Sequence, residues 1–189
     1  MCSETFIGYV RQYCEWAESS THDIDAVYQL LLALKEGAPA LKTPTEFPPE
    51  RTLLGLPQEV PWAETKRFAD FPFQCYYAVF WPPEKAWPYE CELRPEGHLT
   101  DNIHEDFARI HAELRHGLKT MEQDGITQAL RYWRDSYFFH WGHHASGAVW
   151  AIEQHRERMK HGEPSAPPNG GLAAPVGNLN AGGGPPSVS

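Results

Sequence analysis

The 189-residue chain contains no apolar run approaching the roughly 18 residues that a membrane-crossing helix requires. It has only four cysteines, Cys2, Cys14, Cys75 and Cys91, with no CxxC pair among them, which argues against a disulfide framework or a zinc ribbon. Basic residues are also scarce: 16 Lys and Arg stand against 25 Asp and Glu, a formal charge of −9. With no basic stripe to neutralise phosphates, nucleic-acid binding is excluded, and a basic protein partner is the kind that such a charge attracts. The N-terminal stretch MCSETFIGYVRQYCEW lacks the unbroken apolar segment of a secretory signal, so the cytoplasm is the expected compartment. Several catalytic signatures are missing too: no GxSxG elbow, no Walker A loop and no GxGxxG following a strand.

Charge vanishes altogether from the last 26 residues, which hold six prolines and six glycines. Such a composition cannot bury enough apolar surface to offset its ordering entropy. The expected organisation is therefore a helical domain over 1–163 and a disordered tail over 164–189.

Within the domain, apolar spacing carries most of the information. Phe6, Ile7, Val10, Cys14 and Ala17 predict a helix over 3–18, and Ile24, Val27, Leu30, Leu31 and Leu34 predict another over 22–36. Thr21 is the expected N-cap of the second, and Gly37 with Pro39 its end. Eleven prolines between 37 and 98 forbid a long helix there and predict an extended crossover. Only Phe73 to Trp81 has strand-like content. Ile103, Phe107, Ile110, Leu114 and Leu118 then mark one narrow stripe of a helix over 99–122. Asp124-Gly125 breaks it, and a further helix is expected from Ile126 to Met159, antiparallel to the one before. The fold class is all-α: about four main helices in a bundle-like domain.

Seven of the ten histidines fall between His98 and His144. At about 100° per residue, Ile126, Leu130, Trp133, Tyr137, Ala148 and Ala151 share a face of the last helix. His140 and His144 point to the same side, one turn apart. Two readings follow. In one, His140, His144, Ser136, Trp133, Trp141 and Tyr137 form a polar and aromatic core network. In the other, His140 and His144 ligate a divalent transition metal such as zinc, with His104 or His111 reaching in from the preceding helix. The first reading needs no cofactor. Glu113 and His116 match one Glu-x-x-His of a di-iron bundle, but both lie off the apolar stripe and no second copy exists. Cys14 and Cys75 read as buried structural residues.

The strings DFARIHAELRHGL and YWRDSYFFHWGHHASGAVWAI resemble the bacterial domain-of-unknown-function family 5063. The matching positions are Asp106, Ile110, Leu114 and Gly117, then Trp133, Ser136, His140, Trp141, Gly142 and His144. YYAVFWPPE resembles the family's short extended segment, although Trp81 stands where an acidic residue is expected. The likeness spans about residues 73–152 and implies no activity, since the family has none assigned. On the residues alone, the chain is expected to be non-enzymatic and to bind a protein partner as an adaptor or inhibitor. The alternative is a metal-binding protein or small metal-dependent enzyme.

Overall fold

A computed structural model describes residues 2–42, 62–78 and 99–162. The expected tail therefore lies outside the described residues, as do residues 43–61 and 79–98 of the expected crossover.

Helix α1, Ser3–Glu18, follows the apolar spacing to the residue, and buries Tyr13 and Trp16 besides the five positions expected. Helix α2 runs Ile24–Gly37. Its cap is Asp23 instead of Thr21: the Asp23 carboxylate accepts from the Ala26 amide at 2.6 Å, which places a negative charge at the positive end of the helix dipole. After the first undescribed stretch come a single turn of helix, α3 (Trp62–Thr65), and a 3₁₀ turn, Lys66–Phe68.

Two four-residue strands then pair antiparallel, β1 (Cys75–Ala78) with β2 (Leu99–Asn102), Cys75 opposite Asn102. This ribbon shortens the third long helix relative to the expected 99–122. Helix α4 starts at Ile103, where the Asn102 side chain accepts from the His104 amide at 3.0 Å, and ends at Asp124. Gly125, at φ 90°, makes the expected break.

The last helical stretch is not one helix. Helix α5 (Ile126–Ser136) passes into a π-turn, Tyr137–Trp141, before α6 continues over Gly142–Lys160. Gly142 donates its amide to the Tyr137 carbonyl five residues back. A Cβ at Gly142 would stand 2.4 Å from that carbonyl oxygen, so the turn needs glycine there. The π-turn changes the register between α5 and α6, yet the expected face is kept on both sides of it except at its first residue. Leu130, Trp133, Ala148 and Ala151 are buried and Tyr137 half-buried, whereas Ile126 is 46% exposed at the start of α5.

The long helices enclose one core of Phe6, Val10, Leu31, Leu34, Phe107, Ile110, Leu114, Trp133, Trp141 and Ile152. Helices α4 and α5 approach closely at Gly117, where an added Cβ would lie 2.0 Å from the Trp133 indole nitrogen. That indole donates to the Leu114 carbonyl at 3.2 Å and so pins the hairpin. The architecture is an all-α bundle carrying a two-stranded ribbon.

Candidate functional site

The hairpin brings α4 against the π-turn and α6, and at that seam two carboxylates meet two imidazoles. Asp106, Ile110, Glu113 and Gly117 recur at spacings of 4, 3 and 4, a stripe running beside the apolar one and turned toward α5 and α6. Glu113 is fully buried, which corrects the expectation that it lies off the packed face. Its Oε1 accepts from His140 Nδ1 at 2.5 Å, and its Oε2 accepts from the Tyr132 hydroxyl. Asp106, also buried, accepts from His144 Nδ1 at 2.8 Å.

Both imidazoles therefore carry a proton on Nδ1, and both sit between core and solvent: their side chains are 22% and 13% exposed. Their ring centroids lie 5.2 Å apart, and exposed His143 packs on His144 at 4.0 Å. Beneath them the expected aromatic set is assembled. Trp141 donates from its indole to the Trp133 carbonyl at 3.2 Å and the Ser136 hydroxyl at 3.1 Å, while Tyr137 meets Trp141 edge-on at 4.9 Å.

Electrostatics follow from burial. The Tyr132 hydroxyl is held well above the usual phenol range, first by desolvation and then by the Glu113 charge beside it, so Tyr132 stays a donor. Burial likewise pushes the Cys14 thiol up to about 12, in keeping with a structural cysteine.

His140, His144, Ser136, Trp133, Trp141 and Tyr137 thus come together. His104 and His111 do not join them. His104 is buried near the start of α4 and bonded to the Phe73 carbonyl. His111 lies between Glu18 Oε1, at 3.1 Å, and the Arg67 guanidinium, at 3.4 Å. Among the described residues, no three His, Cys, Asp or Glu side chains are grouped so as to hold a metal ion. The residues that periodicity missed are the acceptors. Glu113 was passed over because only the apolar stripe defined the buried side of α4, although its 3- and 4-residue spacing from Ile110 and Gly117 marks a second one.

No curated protein and no solved structure matches the chain. Residues 89–157, which contain both histidines and both carboxylates, match the model of the family described as a domain of unknown function (DUF5063).

Proposed function

We propose that the protein is a non-enzymatic binding module, of adaptor or inhibitor type, whose protein partner docks on the aromatic turn between α5 and α6. One observation carries this reading: Phe138 and Phe139 are 60% and 65% exposed on the π-turn. Neighbouring phenylalanines left in water forgo about 1.5–3 kcal/mol of burial each, and association with a partner recovers that energy. The turn is also a firm platform, since Tyr137, His140 and Trp141 on its inner side are tied to α4 and α5. π-turns within helices recur at functional sites. The charge of −9 favours a partner with basic groups around an apolar contact.

The test is a comparative affinity purification with mass spectrometry, using wild type and a Phe138→Ser/Phe139→Ser variant of unchanged helical circular dichroism. A partner recovered with wild type and lost at least tenfold with the variant supports the reading. Identical recoveries overturn it.

A second reading, a metal held by His140 and His144, is favoured by the carboxylate on each Nδ1, the arrangement found behind metal-ligating imidazoles. Two rings bound to one tetrahedral ion at about 2.0–2.1 Å would also have centroids about 5 Å apart. Native mass spectrometry after incubation with zinc decides it: one bound ion that chelator removes and that His140→Ala abolishes supports the reading, and no adduct ends it.

A further inference from the structure

Residues 62–74 cross the helices as a strap, and the side chains that hold them are largely histidines. His22, in the α1–α2 connection, donates its backbone amide to Asp70 at 2.8 Å and its ring Nδ1 to the same carboxylate at 2.5 Å. The His104 ring of α4 is bonded to the Phe73 carbonyl. From α6, His155 stacks on the Phe73 ring at 4.6 Å, and from α4, His111 meets Arg67. Apolar contacts complete the hold: Phe68 packs on Trp16, His22 and Phe107, and Phe71 on Phe107.

Three of these imidazoles have a nitrogen shielded from water and without a hydrogen-bond partner: His22 Nε2, His104 Nε2 and His155 Nδ1. A neutral ring can leave an acceptor lone pair there at modest cost. A protonated ring would place an unpaired N–H and a full charge in the same spot. At His22 the Asp70 carboxylate bonded to Nδ1 would meet that charge; at His104, His111 and His155 desolvation outweighs the neighbouring charges. Asp70 and His22 face His104, Arg156 and Arg158 face His155, and Glu18, Arg67 and Arg115 face His111.

We propose that residues 62–74 are an acid-released strap, held down by neutral His104, His111 and His155 and lifted from α1, α4 and α6 when these three take up protons. Release bares the ring faces of Trp16 and Phe107 that Phe68 and Phe71 now cover. The direction follows from linkage. Burial lowers the pKa of His104, His111 and His155 from 6.5, so the closed strap binds fewer protons than the open one. Its hold is complete above that value and weakens as pH falls below it, by up to about tenfold in open population per histidine and pH unit.

Hydrogen exchange of the full chain, at about pH 7.4 and about pH 5.5 and corrected for intrinsic rates, tests this. The Phe71 amide, bonded to Phe68, and the Ile103 amide, bonded to Gln74, should exchange at least tenfold faster at the lower pH. The α5 amides of Leu130 and Trp133 should hold. Unchanged strap amides overturn the proposal, and so does loss of protection in step with α5. A His104→Gln/His155→Gln variant should flatten the response. Should it fail to fold, Asp70→Asn replaces it: faster strap exchange at pH 7.4 with the acid response retained is expected, and wild-type exchange would show that Asp70 is no anchor.

Discussion

Glu113 shows what a single buried side chain demands. A carboxylate without water must be met by donors, and it has two: the Tyr132 hydroxyl and His140 Nδ1. Removing either leaves a charged acceptor undersatisfied. Tyr132→Phe should cost about 1.5–3 kcal/mol, the usual worth of a hydrogen bond to a charged group. His140→Ala, and His144→Ala at Asp106, should each cost about 1–3 kcal/mol from lost packing and the unmet carboxylate. Urea denaturation measures all three, and values near zero for both histidines would mean that the pairs are ornamental. The inward aim of His140 and His144 was legible from helical angles alone. Their partners were not, because a Glu on a helix reads as solvated until the element packed against it is known. Only the parallel stripe from Asp106 to Gly117 hinted at it.

At the scale of elements, the helices legible in the sequence are those whose apolar spacing stays at 3 and 4, as in α1 and the body of α4. The π-turn escaped because one extra residue shifts the register without leaving a polar or glycine break before it. Periodicity therefore ran α5 and α6 together, and it could not show that Ile126, on the same face of α5 as Leu130 and Trp133, stands exposed at that helix's first residue. The β1–β2 ribbon escaped for another reason: a four-residue pairing between segments far apart in sequence has no local signal. Two glycines make these elements testable. Gly117→Ala pushes a methyl group into the Trp133 indole, which must shift and give up its bond to the Leu114 carbonyl, at about 2–4 kcal/mol. Gly142→Ala meets a backbone carbonyl that cannot swing aside, so the π-turn itself must rearrange. Its cost should be similar, and it should also broaden or shift the NMR resonances of Phe138 and Phe139. Gly117→Ala should not, which separates the two effects.

For the whole molecule, the acidic charge and the buried histidines respond to pH in different windows. Asp70 titrates below its ordinary 3.8: burial opposes this, but the His22 ring and amide bonds outweigh it. Glu157 is also lowered, first by its Lys160 bond, but it is fully exposed at the surface and counts for little. The Asp70 contribution is present above 3.8 and is lost only as pH falls through its lower folded value. The histidines act earlier. His104, His111 and His155 are all lowered by desolvation, so the folded state binds fewer protons than the unfolded chain as pH drops below 6.5. Stability must then rise with pH across that interval and level off above it. The midpoint of urea unfolding should be flat from about pH 8 to 7 and fall between about pH 6.5 and 5, well before Asp70 is protonated. Replacing His104 and His155 with glutamine should shrink the fall, whereas Asp70→Asn should lower the midpoint at every pH in that range without changing the slope. A midpoint that climbs on acidification would overturn this sign.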